Sequence, residues 1–150
     1  MLVLTTVESL MIAPLPFYAK PGLANIVVMF CAFSIGRSHA VSLNVLKSIF
    51  VLITRGPVAG LLSLGGGLLS VVIIILFKKS KMSYSIISVI AACAHNLGQL
   101  ATAAILLSTL YVLYYLPLLV ISSIIMGLLT GTLLKLLMSI PNNFQNLFKL

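Results

Sequence analysis

"PVAGLLSLGGGLLSVVIIILFKKSK", residues 57–81, decides the fold class. Residues 57–77 hold no charged side chain, and then Lys78, Lys79 and Lys81 follow within four positions. A helix needs about 20 apolar residues to cross the hydrocarbon of a bilayer. The run has that length and lacks the apolar-polar alternation of a barrel strand, so it reads as a membrane-spanning helix. The lysine cluster marks one end of that helix as the cytoplasmic one, because basic residues are retained on that side.

The rest of the chain has the same character. Of 150 residues, 61% are hydrophobic and 7% are charged, and the mean hydropathy is +1.27. A soluble domain carries roughly 25% charged residues and could not cover so apolar a chain with so few. The expected fold is therefore all-α, a polytopic membrane bundle of about six transmembrane helices. Nine Lys/Arg stand against one acid, Glu8, for a net charge of +8. The bases fall mostly in loops and at span ends, where topology explains them better than nucleic-acid binding does. Cys31 and Cys93 fall inside predicted spans, with neither disulfide nor metal-ligand spacing. No basic stretch precedes the first apolar run, so no signal peptide is expected.

Six spans are expected, at roughly residues 1–16, 22–36, 38–54, 57–77, 84–109 and 116–138. The breaks are "KPG" (20–22), "GRSH" (36–39), "RGP" (55–57), "KKSKMS" (78–83) and "YYLP" (114–117). They define one transmembrane domain, residues 1–140, and a short cytoplasmic tail, 141–150. The first run is shorter than a full span, which leaves open a tilted helix or a start before Met1. With the Lys78–Lys81 loop inside, both termini fall inside, as do Arg37, Lys135 and Lys149. Lys20 and Arg55 fall outside, and Lys47 lies within a span.

Small residues recur at helical spacing: Ala59, Ser63 and Gly67; Ala94, Gly98 and Thr102; Gly127 and Gly131. They let helix backbones approach closely in lipid. They mark either packing inside the bundle or a docking face for another membrane subunit. The Gly65–Gly67 run is no phosphate loop, since no Gly-Lys-Ser/Thr follows it.

Polar side chains at membrane depth are expensive and face a bundle interior or a wet cavity. Here they are Glu8, Asn25, Asn44, Lys47, His95, Asn96 and Gln99. His95, Gln99 and Thr102 share one helical face at i, i+4 and i+7, and Asn44 and Lys47 are at i, i+3. Counted by depth, these groups from four helices converge on one outward-facing cavity. Structural roles compete with this for each residue. Glu8 and Lys47 form an ion pair or meet a ligand. His95 and Asn96 join helices or line the site. Asn25 bonds free backbone near the "KPG" turn or reaches a solute. Arg55 is an interfacial anchor or receives an anion, and Phe17, Tyr18, Tyr111, Tyr114 and Tyr115 form an interface belt or a ligand cage.

A single acid, and no Asp at all, cannot supply paired carboxylates or a diphosphate–magnesium site. One embedded His, with no series of Cys or carboxylate residues near it, is not a metal site. Neither catalysis nor a metal or other cofactor is expected, and any ATP-derived energy must come from a partner.

The stretches "PGLANIV" (21–27), "SLGGGLLSV" (63–71) and "AHNLGQL" (94–100) resemble the small bacterial membrane proteins called Gx transporters. That family is also labelled heptaprenyl diphosphate synthase component I. It is similar to the substrate-binding S components of energy-coupling factor (ECF) transporters. The resemblance runs from "ESL" at 8–10 to the Gly127–Gly131 pair. It implies an S-component-like bundle in the bacterial cytoplasmic membrane, with a solute pocket open to the outside. The implied partners are a membrane coupling subunit and a pair of ATPases. Carried over by motif, the implied solute-binding residues are Glu8, Asn25, Lys47, His95, Asn96 and Gln99. Two positions depart from the pattern. This chain reads "SLNVLKSIF" (42–50), with Lys47 where family members usually carry Arg; Lys keeps the charge but loses the bidentate fork. The first span also lacks the Ala-x-x-x-Ala face that S components turn to the coupling subunit.

The leading expectation is thus a solute-capture subunit for a vitamin-, flavin- or isoprenoid/quinone-precursor-like solute. The alternatives are a noncatalytic membrane scaffold for prenyl-quinone synthesis or flavin-based electron transfer, and a proton-coupled carrier acting alone through Glu8 and His95.

Overall fold

A computed structural model of the protein describes residues 3, 6 and 23–139. Among these residues the chain forms five α-helices and no strand. They are α1 (Leu23–Ser34), α2 (Arg37–Arg55), α3 (Pro57–Phe77), α4 (Tyr84–Leu107) and α5 (Leu116–Ser139), with a 3-10 turn at Tyr111–Tyr115 before α5. The expected spans from residue 22 onward coincide with these helices to within a few residues. The expected span at 1–16 and the tail at 141–150 lie outside the described residues, apart from helical backbone at residues 3 and 6. The expectation of about six full spans is reduced accordingly. Three helices are long and apolar enough to cross a membrane: Pro57–Phe77, Tyr84–Leu107 and Tyr111–Ser139. α1 has 12 residues, about 18 Å of helix, which is less than the hydrocarbon thickness of about 30 Å. α2 has 19 residues but turns Asn44, Lys47 and Ser48 inward, together with Ala40 and Val51. Its exposed face is Val41, Val45, Leu46, Ile49, Leu52 and Ile53. Such a helix is polar inside and apolar outside, the order expected in lipid.

The breaks are set locally. Gly56 separates α2 from α3 at φ 90°, a conformation that suits glycine. Its N–H bonds back to Leu52 O at 3.1 Å, and Pro57 occupies the first turn of α3, where its missing N–H costs nothing. Ser83 caps α4 by accepting from the Ser85 N–H at 3.3 Å. At the end of α1, Lys78 Nζ donates to Ala32 O at 2.6 Å, a cation placed on the free carbonyls of a helix C-terminus.

Each helix packs on its chain neighbour, and α1 also packs on α5, so the five close into a ring. Glycines set the approach. A Cβ on Gly98 would lie 2.6 Å from Gly65 O and 2.9 Å from Gly66 Cα. Cβ atoms on Gly127 and Gly131 would each lie 2.5 Å from a Cα of α4, that of Val89 or Ser85. These small residues therefore bring α3, α4 and α5 together within the bundle, as close packing in lipid requires. Gly67 faces Asn44 of α2. The expected register on α3 is off by one at its start. Ala59 is half-buried, and the adjacent Gly60 makes the close approach, 2.6 Å from Leu52 Cβ for an added Cβ.

One end of the ring is basic, with Arg37, Lys78, Lys79, Lys81 and Lys135. The other carries Arg55 and the exposed Tyr111, Tyr114 and Tyr115. Toward the basic end the interior is a solid apolar core built on Val28, Ala32, Val71, Ile74, Ile87 and Leu134. Phe33 and Phe77 pack against it, and Phe33 meets Tyr84 edge-on, with ring centroids 5.2 Å apart.

Candidate solute-binding cavity

Above that core the ring encloses a cavity of about 270 Å³ to which all five helices contribute. α1 provides Asn25 and Met29; α2 provides Lys47, Val51 and Arg55; α3 provides Ser63, Ser70 and Ile74. α4 provides Ser88, Ala91, Ala92, His95, Asn96 and Gln99. α5 provides Leu119, Ser122, Ser123, Met126 and Thr130. Ile74 belongs to both the apolar core and the cavity wall, so the core forms the floor on the basic side. Arg55, the last residue of α2, lies at the opposite end.

Of the residues singled out from sequence, Asn25, Lys47, His95, Asn96 and Gln99 all line this cavity. Glu8 lies outside the described residues. Lys47 is 7% exposed, and its Nζ donates to Asn25 Oδ1 at 2.7 Å. The amide of Asn25 thus receives an ammonium across the α1–α2 contact. On α4, Gln99 Nε2 lies 3.2 Å from His95 Nε2. The amide nitrogen can only donate, so the imidazole Nε2 accepts. Gly66 of α3 sits against both, with an added Cβ 2.6 Å from Gln99 Cγ and from His95 O. The glycine run of α3 is thus the flat wall on which the "AHNLGQ" turns of α4 rest.

Asn96 has a structural bond as well as a place on the wall. Its Nδ2 donates to Ser123 Oγ at 2.7 Å and to Leu119 O at 3.2 Å. Ser123 in turn donates to Leu119 O at 2.6 Å. Interhelical bonds of this kind average about 0.6 kcal/mol and reach about 1.7 kcal/mol in membranes. A double-mutant cycle of Asn96→Ala and Ser123→Ala, read by unfolding in detergent, is expected to give a coupling in that range. A coupling of zero would show that the bond does not form. Asn44, expected in the polar group, is 1% exposed and packs under Gly67 instead of lining the cavity.

The sequence pattern missed the hydroxyl side of the cavity. Ser70, Ser88, Ser122, Ser123 and Thr130 carry no mark that separates them from the many serines and threonines that bond their own helix. Ser63 reads as a packing residue, yet it lines the cavity. Ser88 and Thr130 share a hydrogen bond of 2.5 Å across α4 and α5. The exposed Tyr111 and Tyr114 stack at 6.3 Å and contribute nothing to this cavity, as amphipathic rings at a membrane surface would be placed.

Chemically the cavity is a half-polar slot: two cations and three amides, with the imidazole, at mid-depth and at the Arg55 end, methionine and aliphatic side chains between, and hydroxyls along the walls. The protein-family model described as heptaprenyl diphosphate synthase component I matches residues 1–137. No curated protein and no solved structure matches the chain.

Proposed function

The chain belongs to the heptaprenyl diphosphate synthase component I family, and from that premise we propose that it is the solute-capture subunit of an ECF-type transporter. Its solute is small and resembles a vitamin, a flavin or an isoprenoid or quinone precursor. One observation carries this: Asn25, Lys47, His95, Asn96 and Gln99, from three helices, meet with Arg55 on one cavity floored by an apolar core. Lys47 pairs with Asn25 and Asn96 with Ser123, yet every one of these groups keeps a place on the cavity wall. In this reading Lys78, Lys79 and Lys81 face the cytoplasm of a bacterium, with both chain termini on that side. The cavity then faces outward and its floor blocks passage. A membrane coupling subunit with two ATPases would reorient the loaded bundle, and the protein performs no catalysis itself.

The family description names a component of a synthase, which favours a second reading as a noncatalytic scaffold beside a prenyl synthase. Thermal unfolding of the purified protein with flavins, vitamins and isoprenoid or quinone precursors separates the two. At a hundred times its Kd, a ligand contributes about 2.7 kcal/mol, or a rise of roughly 5–10 °C for a chain of this size. One compound class is expected to give such a rise, and His95→Ala with Asn96→Ala to remove it. No rise with any compound, together with stable co-purification of a prenyl synthase, would favour the scaffold.

A further inference from the structure

Ser63 and Ser70 are 6% and 5% exposed, and both line the cavity. Among the described residues neither hydroxyl makes a hydrogen bond. The other buried hydroxyls, of Ser48, Ser88, Ser123 and Thr130, are all bonded. Serines and threonines in helices commonly donate to the carbonyl one turn back. Ser48 does so to Asn44 O at 2.9 Å, and Thr102 to Gly98 O at 2.8 Å. Polar groups this deep in a bundle as a rule have partners; these two residues line the cavity, where a solute atom can supply one. Seven residues apart, they lie on one face of α3, about 10.5 Å apart along its axis.

Arg55 supplies the other pole. It lines the same cavity, and no described side chain or carbonyl bonds its guanidinium. A guanidinium presents a planar fork of donors that fits a carboxylate or phosphate. Lys47 adds a second positive charge on the same helix, two turns deeper. The volume of about 270 Å³ falls just short of the roughly 300–1,000 Å³ typical of sites for drug-sized ligands, which selects a compact solute.

We infer that the cavity takes a small elongated anion whose carboxylate or phosphate sits at Arg55 and whose body carries hydrogen-bonding atoms that Ser63 and Ser70 read. This rests on the solute-capture reading and names the class of solute. Neither serine is marked as a binding residue by the sequence motifs.

Matched probe pairs test it on the full chain in phosphatidylcholine nanodiscs: flavin mononucleotide with riboflavin, geranyl phosphate with geraniol, and 4-hydroxybenzoate with 4-hydroxybenzyl alcohol. In at least one pair the anion is expected to bind tenfold or more tightly than its neutral counterpart. Arg55→Gln is expected to erase that preference while neutral binding persists, and Arg55→Lys to restore part of it. Ser63→Ala with Ser70→Ala is expected to weaken both members of the pair about tenfold while the ligand-free unfolding temperature holds. If no member of any pair binds, the solute-capture reading itself fails. If anion and neutral partner bind equally and the variants match the unaltered protein, solute capture stands and this inference is overturned. Arg55-dependent displacement of the probe by added phosphatidylglycerol would also overturn it, because Arg55 would then be a lipid-headgroup contact.

Discussion

Gly98→Val is expected to lower the unfolding temperature in detergent by roughly 6–12 °C, from an overpacking cost of about 3 kcal/mol, or to leave no monodisperse protein. The site explains the size of the effect. The first carbon of any side chain at 98 would lie 2.6 Å from Gly65 O and 2.9 Å from Gly66 Cα. Both are backbone atoms, so no rotamer change can relieve the clash, and the axes of α3 and α4 must separate. Lipid tails are as apolar as the helix surfaces, so contact distance is the main source of helix association in the bilayer. The same displacement would move His95 and Gln99 away from Gly66, so ligand binding should fall together with stability. Leu97→Val is the control. Leu97 is exposed, and its substitution is expected to leave the unfolding temperature within about 2 °C, since exposed changes shift stability by under about 0.5 kcal/mol. A Gly98→Val protein as stable as the unaltered one would rule out the close α3–α4 approach.

Lys47→Met is expected to separate stability from binding. The ammonium lies in the bundle interior, where a charge costs about 2.5–3.5 kcal/mol on insertion scales. Methionine matches its length and removes that cost, at the loss of the ammonium's hydrogen bonds, the 2.7 Å bond to Asn25 among them, bonds of a kind that average about 0.6 kcal/mol each. The variant should therefore unfold at the same temperature or higher. An anionic solute, by contrast, would lose a charge-assisted hydrogen bond of about 1.5–3 kcal/mol, or roughly 10–100-fold in affinity. The opposite pattern, a fall of several degrees with binding intact, would assign Lys47 to a structural ion pair. Removing one partner of a buried pair strands the other charge and destabilises by about 3–5 kcal/mol.

Much of this was legible in the sequence because membrane insertion makes composition decisive. Residues 57–77 without a charge can be little else than a spanning helix, and Lys78, Lys79 and Lys81 fix where it ends. The same economy singles out Asn25, Lys47, His95, Asn96 and Gln99. A polar side chain in lipid must face inward, so its presence alone predicts its direction. That these five share one cavity also needed the ring closure of α1 on α5, which no local spacing encodes.

The distinction between wall and packing came only from the tertiary structure. Asn44 and Lys47 stand at i, i+3 on one helix, yet the first is wedged under Gly67 and the second reaches the cavity, because α3 covers one and leaves the other clear. Ser63 and Gly67 share a face of α3, yet the glycine meets Asn44 of α2 while the serine faces open space. Serine, threonine and glycine cost little at membrane depth whether they pack or bind, since a hydroxyl can always return to its own helix. Insertion energetics therefore place no constraint on which of the two they do. For the charged and amide residues the bilayer itself imposes the answer on the sequence. For the small residues only the positions of the neighbouring helices decide it.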